Sequence, residues 1–470
     1  MDPTMLSPQQ PTPITQDASG NMPETGSGMK GMILRLAIGA IVLILIIVLA
    51  ILFIPRFFAG KQGPVTLTYW GLWEDSTVMS QVIADFNRTH PTIHVNYEKR
   101  DIKGEGQYID RLTTRINNGN GPDIFRFHNS WPLELVGTGN LLPLPNDVVK
   151  SLGLDTDYYS VVKSDLQKNG AFYGVPLQID TLALFVNKDL LKAGDIANAP
   201  TSWDTLADVA ASLTVPDETG KIKTSGVALG GYENIAHASD VISLLLVQNR
   251  ADIYHISGKS KQNAIDALAG YYIPFGKGDS SGKGKTWDTD MENSKLAFAD
   301  GSLAMYFGYS WDILDIKAKN PSLNFEIVPV PHLAADRAET IASYWVEGVS
   351  AKTKHPKEAF EFLKYLGSKD TLQKMYTLES KSRLFGELYP RKDMKASLAS
   401  NPLLKPFLDQ ADNAVSTPFS SDTYDAAMNT ALNTYLGNAI NAMLNNTSPD
   451  SAIDTLGSGE TEVLSKYGVK

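Results

Sequence analysis

The stretch VTLTYWGLWEDSTVMSQVIADFNRTHPTIHVNYE, residues 65–98, decides the fold. Val65, Leu67 and Tyr69 alternate with threonines, which predicts a strand over 65–70. Asp75 or Ser76 can cap a helix that carries Val78, Met79, Val82, Ile83 and Phe86 at helical spacing. Pro91 stops that helix, and Ile93, Val95 and Tyr97 alternate again in a second strand. Strand, helix and strand within one short segment is the unit of an α/β fold.

The same rhythm continues outward. A helix is expected near Tyr108–Asn117, a strand at Asp123–Phe127 and another at Leu182–Val186. Such alternation implies largely parallel sheets. GKGDSSGKGK, residues 276–285, reads as a flexible surface loop, and from Pro356 onward the chain reads mostly helical. No internal repeat is visible.

Upstream the character differs. Residues 1–29 are rich in Pro, Ser, Thr, Gln and Gly, without apolar pattern, and read as a disordered tail. Leu36 to Ile54, LAIGAIVLILIIVLAILFI, carries no charge. As a helix it would span roughly 28 Å, close to the hydrocarbon core of a bilayer. Residues 30–58 are therefore expected to form one transmembrane helix, with 59–64 as linker. No small-x-small cleavage site follows, since the next residues are Pro55, Arg56, Phe57 and Phe58, so the helix reads as an uncleaved anchor. Lys30 and Arg35 before it are matched by Arg56 and Lys61 after it, leaving orientation unmarked.

The net charge is −10 and there is no cysteine. Asp2, Asp17 and Glu24 cancel Lys30, Arg35 and Arg56, so the excess acid lies on the body beyond residue 60. An acidic body without a basic stripe argues against nucleic acid as partner. Lack of cysteine excludes disulfides, cysteine-ligated zinc, a thiol nucleophile and a lipid anchor on cysteine. His90 and His94 have the spacing of a helical metal pair, but Pro91 separates them and a strand follows. DSSGKGKT, residues 279–286, approaches a phosphate loop, yet aspartate replaces its first glycine and no apolar strand leads into it. Neither a cofactor nor a metal is indicated.

The aromatic residues say more. The seven tryptophans are Trp70, Trp73, Trp131, Trp203, Trp287, Trp311 and Trp345. Several stand beside acids where strands should end: Trp73-Glu74-Asp75, Trp311-Asp312, Trp345-Val346-Glu347. An indole suits the C–H face of a sugar ring, and a carboxylate or amide suits its hydroxyl rim. Ligands of open α/β sheets bind at the carboxyl ends of strands.

Residues 65 to about 395 resemble the family 1 extracellular solute-binding proteins of ABC importers, the group that includes maltose-binding protein. The opening segment looks like the family's first strand, ligand loop, helix and second strand. NNGNGPDIFRF (117–127) resembles its PD strand. AFYGVPLQIDTLALFVNKDLLKAGDIANAPTSWDTL (171–206) resembles the stretch where the chain first crosses between lobes, and FADGSLAMYFGYSWDI (298–313) the segment after its return. KHPKEAFEFLKYLGS (354–368) resembles a family helix and LYPRKD (388–393) its closing turn.

The resemblance implies a two-lobed periplasmic-binding-protein type II fold with a hinge and an interlobe cleft. It assigns 65–178 and 301–341 to the first lobe, and 180–300 and 343–470 to the second. It implies a sugar or oligosaccharide as ligand, an ABC permease as partner, no enzymatic activity, a monomer, and a large domain outside the cell membrane. Carried over by position, it selects Trp73, Glu74 and Asp75 on the first loop, and His128, Asn129 and Trp131 after the PD strand. It also selects Gln178 and Asp180 at the crossover, Tyr232 and Asn234 in a second-lobe loop, Gly308, Ser310 and Trp311 in a turn, Trp345 and Glu347 on the return, and Arg383. Asp123 is read as structural, Trp203 as part of a helix start, and Trp287 is left open. Two alternatives stand: a receptor for a cation such as a polyamine, using Glu74, Asp75, Asp180, Asp312 and Glu347, and a membrane-anchored carbohydrate-active enzyme using two such carboxylates. A sensor that presents the bound lobe pair to a receptor is a further one.

Overall fold

Asp75 starts the helix that the opening segment predicts. Its carboxylate accepts from the Thr77 amide at 2.7 Å, and helix Ser76–Thr89 buries Val78, Met79, Val82, Ile83 and Phe86. The capped amide is one of the four that a helix start leaves without a partner. A computed structural model describes residues 38–49, 63–103, 108–278, 284–425 and 427–469.

Residues 38–49 form a helix whose apolar side chains, from Ile38 to Leu49, are exposed. Among the described residues no helix is long and apolar enough to cross a membrane. The expected tail 1–29 lies outside the described residues, as do the two ends of the anchor expected over 30–58 and most of the linker. The middle of the glycine-rich loop, 279–283, lies outside them too.

The strands of the body are β1 (Val65–Gly71), β2 (Ile93–Lys99), β3 (Ile124–His128), β4 (Gln167–Lys168), β5 (Ala171–Phe172), β6 (Val175–Pro176), β7 (Asp180–Thr181), β8 (Ala183–Asn187), β9 (Val215–Pro216), β10 (Ile222–Val227), β11 (Leu303–Gly308), β12 (Phe325–Val328), β13 (Thr340–Ser343), β14 (Trp345–Val349) and β15 (Ala414–Val415). Two five-stranded sheets dominate, in the orders β2-β1-β3-β14-β6 and β12-β8-β11-β10-β9. Both β3 and β14 are buried along their whole length, as expected of strands covered on both faces.

The sheets are mixed rather than largely parallel. β1 runs parallel to β2 and β3, but β14 is antiparallel to β3 and β6. In the second sheet β10 and β11 are parallel, while β8 is antiparallel to both β11 and β12. Of the antiparallel members, β8 and β14 are reached by crossing from the other sheet, while β9 pairs antiparallel with β10 within its own. It leaves the first sheet after β6, passes through β7 and enters the second at β8. It returns from β12 through β13 to β14. The two crossing segments pair antiparallel, Thr181 opposite Ala342 and Asp180 opposite Ser343, and β15 joins β13 on its other side.

This corrects the expected division. The strands of 301–341 lie in the second sheet, and β14 lies in the first. Helices Pro356–Leu366 and Lys369–Glu379 also belong with the first sheet: Phe362 meets Tyr69 edge-on at 6.0 Å, and Lys374 pairs with Asp85. Only beyond β15 does the chain rejoin the second body. There Leu432, Leu436 and Ile440 of helix Met428–Leu444 are buried in one core with Leu244 and Leu245 of helix Ala238–Gln248. Sheet partners are non-local, so strand pattern alone could not reveal the third crossing.

Local structural assignments hold. Asp123 accepts from the Thr68 amide at 2.8 Å and from the Thr353 hydroxyl, tying β1 to the turn before β3. Trp203 opens helix Trp203–Leu213 behind a Ser202 capping box and stacks on Phe307 at 5.5 Å. Trp287 is fully buried and donates to Asn234 Oδ1 at 3.0 Å. Thr286, at the end of the phosphate-loop-like stretch, is buried and donates to the Val227 carbonyl at 2.9 Å.

Helix Trp203–Leu213 lies so close to β10 that a Cβ on Gly226 would sit 2.0 Å from the Ala210 carbonyl oxygen. Gly226→Ala is therefore expected to cost about 1–3 kcal/mol by overpacking, read as a lower midpoint in urea unfolding. An unchanged midpoint would show that this contact yields freely.

Candidate functional site

Among the described residues, three of the seven tryptophans have an indole N–H with no protein partner. Trp70 donates to Glu98, Trp131 to Asn429, Trp203 to Gln248 and Trp287 to Asn234, at 2.9 to 3.1 Å. Trp73, Trp345 and Trp311 make ring contacts only. Buried indole N–H groups normally find an acceptor within the protein, so these three differ from the other four.

Trp73, on the loop after β1, is 37% exposed and meets Trp345 edge-on at 5.4 Å. Trp345 opens β14 and is backed by Trp131 at 5.5 Å and His128 at 5.1 Å. His128 is buried, with Ser130 Oγ 2.8 Å from Nδ1 and Ser343 Oγ 3.1 Å from Nε2. Burial pushes its pKa down to about 3, so it is a neutral support. In the second body, half-buried Trp311 stacks on Tyr309 at 4.4 Å, just past the end of β11.

The crossing ribbon connects these groups. Asp180 accepts from the Ser310 amide at 2.9 Å, from its hydroxyl, and from the Thr181 amide at 2.8 Å. Its backbone partner is Ser343, whose hydroxyl touches His128. Trp311 thus follows a residue held by one crossing strand, and Trp345 follows the other by two residues. Burial raises the Asp180 pKa well above the usual carboxylate value, against the hydrogen bonds that lower it.

The remaining carboxylates expected to meet a ligand are engaged elsewhere. Glu74 and Glu347 flank the guanidinium of Arg126, and all three are buried. Glu347 stands directly opposite Arg126 across the β3–β14 ladder, and Arg126 Nε donates to it at 2.6 Å. Asp75 is an exposed helix cap. Asn129 accepts from the Tyr344 amide at 3.0 Å and donates to Ser416 at 2.8 Å. Asn234 donates to the Asp288 and Met291 carbonyls. Arg383 bridges Glu379 and Glu387, each at 2.7 Å. Gly308 ends β11 where a Cβ would strike the Tyr306 ring and Asp312. Gln178 is buried with its Oε1 lacking a partner. Tyr232 lines a groove of about 360 Å³ with Asp422, Tyr424 and Asn433. A larger cavity, about 640 Å³, lies at the β9–β10 edge and includes none of the expected site residues.

Arg126 and His237 escaped sequence reading. Arg126 had a signal, a lone charge inside the apolar strand IFRFH. His237 had none. Among the described residues no cluster of His, Asp and Glu fits a metal.

A family model described as bacterial extracellular solute-binding protein matches residues 71–373. A multiple sugar-binding protein of Streptococcus mutans is 24% identical over 339 residues, 68% of this chain and 75% of that protein. The sugar-binding protein MalE of Xanthomonas citri superposes with a TM-score of 0.68 at 20% identity, covering 86% of this chain and 98% of that one. A cyclo/maltodextrin-binding protein complexed with maltotetraose gives a TM-score of 0.68 at 18% identity, over 86% of this chain and 99% of that one. At these identities the structures speak for the two-lobed periplasmic binding fold.

The buried triad carries a pH signature. One guanidinium faces two carboxylates, and burial lifts Glu347 from its ordinary 4.5 to about 7 although Arg126 opposes the shift. Between those values the folded chain holds a proton that the unfolded chain has released. Stability from this group is present below about pH 4.5 and is lost as pH rises towards 7, by up to about 3 kcal/mol. Glu347→Gln should flatten the fall in urea-unfolding free energy between pH 5 and pH 8; an equal fall in both proteins would remove Glu347 as its source.

Proposed function

Since the chain belongs to the bacterial extracellular solute-binding protein family, we propose that it is the receptor of an ABC importer for a neutral sugar or oligosaccharide. The observation that carries this reading is the set of unengaged indoles, Trp73 and Trp345 on the first body and Trp311 on the second. Their faces offer stacking area for sugar rings, and their N–H groups offer donors to hydroxyls. A solute touching both bodies favours the closed arrangement by its differential affinity for it, and the permease would read that arrangement. Support comes also from the sugar-binding relative and from the maltotetraose bound by a structural neighbour.

The cationic-solute and enzyme readings both need free carboxylates. Glu74 and Glu347 are committed to Arg126, Asp180 to Ser310, Asp312 to His237, and Glu379 and Glu387 to Arg383. A wall whose acids are already paired suits an uncharged solute. Ligand contact is assigned to Trp73, Trp311, Trp345, Gln178 and Tyr232. Of the other residues expected there, His128 and Trp131 back Trp345, and Asp180 holds Ser310.

The apolar run 36–54 would hold the receptor at the membrane as an uncleaved helix, with the large body outside. Tethering of this kind raises the effective concentration at the permease without a new contact. The full chain should fractionate with membranes and a chain starting at residue 59 should not. Recovery of the full chain in the soluble fraction would sink the anchor.

Calorimetry on the full chain in lipid nanodiscs tests the ligand class. Maltotetraose or another neutral oligosaccharide should bind saturably, and Trp73→Ala and Trp311→Ala should each weaken binding on the order of tenfold. Trp203→Phe should leave affinity unchanged. Saturable binding of spermidine with no response to any neutral sugar would overturn the reading.

A further inference from the structure

We infer that His237 is a positioning residue for the bound solute: by bridging Asp312 to Ser421 it holds the Trp311–Tyr309 stack in place. This rests on the receptor reading above.

His237 caps helix Ala238–Gln248 in the left-handed region, with φ of 57°, and is 5% exposed. Such backbone is uncommon for a residue other than glycine and persists only where its surroundings enforce it. Nε2 lies 2.9 Å from Asp312 Oδ2. Asp312 opens helix Asp312–Lys319, for which Trp311 is the cap. The same carboxylate takes the Tyr306 hydroxyl at 2.9 Å, the Tyr309 amide at 3.1 Å and Lys295 at 3.3 Å. It therefore fixes the turn that presents Trp311. The imidazole itself packs edge-on to Tyr309 at 5.0 Å and to Trp311 at 6.2 Å.

The other ring nitrogen settles the protonation state by donor counting. Nδ1 lies 2.9 Å from Ser421 Oγ. Ser421 donates its own proton to Asp240, so it can only accept from Nδ1. Asp312 on the far side is also an acceptor. Both nitrogens must donate, and only the imidazolium has two protons to give. Around it stand Asp312 and Tyr306 from the β11 side, Asp240 at 3.8 Å from its own helix, Asp422 at 3.4 Å from the facing loop, and Lys295 beyond Asp312. Burial alone would push the imidazole down, but these acids lift it to about 9. Loss of the proton leaves one nitrogen facing an acceptor without a hydrogen. The clamp then loses either its bond to Ser421 or the bond from Ser421 to Asp240.

Two readouts test this. In ¹⁵N spectra of the full chain without sugar, the Trp311 indole N–H, assigned through Trp311→Phe, should titrate with a midpoint of about 9. It should not move over that range in His237→Gln. In maltotetraose titrations, wild-type affinity should fall above that pH, while His237→Gln should bind roughly tenfold more weakly at pH 7 and without that dependence. Ser421→Ala, which removes the Nδ1 acceptor together with its bond to Asp240, covers the case of a His237→Gln chain that does not fold; it should shift the midpoint of the Trp311 signal. A Trp311 signal indifferent to pH, or wild-type affinity in a folded His237→Gln, would overturn the inference. Absence of any sugar binding by the wild type, with the Trp311 titration intact, would instead sink the receptor reading.

Discussion

The antiparallel pairing of Asp180 and Thr181 with Ser343 and Ala342 ties together the segments that carry Trp311 and Trp345. Two strands that cross between sheets in opposite directions meet at this short ribbon. Ser310 hangs on Asp180 and His128 on Ser343, so each body's indole platform is referenced to the same few peptide units. The ribbon is short, two residue pairs between the crossing strands. A few residues at the ends of elements suffice to absorb a rotation of one body on the other.

Charge is managed by the same economy. The chain is strongly acidic, yet around the indoles each acid meets a cation or a cluster of donors. The cost of burying Arg126 is offset by two carboxylates at once, and the hydrogen-bonded wall that results is rigid rather than reactive. Aromatic faces backed by buried, mostly ion-paired polar groups favour selection by shape over selection by charge.

What could be read from the sequence was what depends on near neighbours. Helix Ser76–Thr89 buries the five apolar residues that its spacing marks, and helix Tyr108–Asn117 has its expected bounds. Capping and periodicity are local, so they survive translation into a fold. Sheet membership did not survive, because β11 and β12 find β8 more than a hundred residues away. The site showed the same split. Trp73, Trp311 and Trp345 can be proposed from type and place, but Glu74, Asn129 and Asn234 carry the same polar chemistry whether they meet solute or protein. His237 lacked even a glycine at its left-handed position to signal the turn.

The placement of β14 between β3 and β6 also fixes the order in which the molecule can be completed. Until Val349 has left the ribosome, the first sheet lacks an interior strand and β3 offers a bare edge, with Arg126 on it still missing Glu347. An unpaired interior edge is a poor endpoint for a nascent chain. Vectorial synthesis would thus leave the first body open while the second is being made.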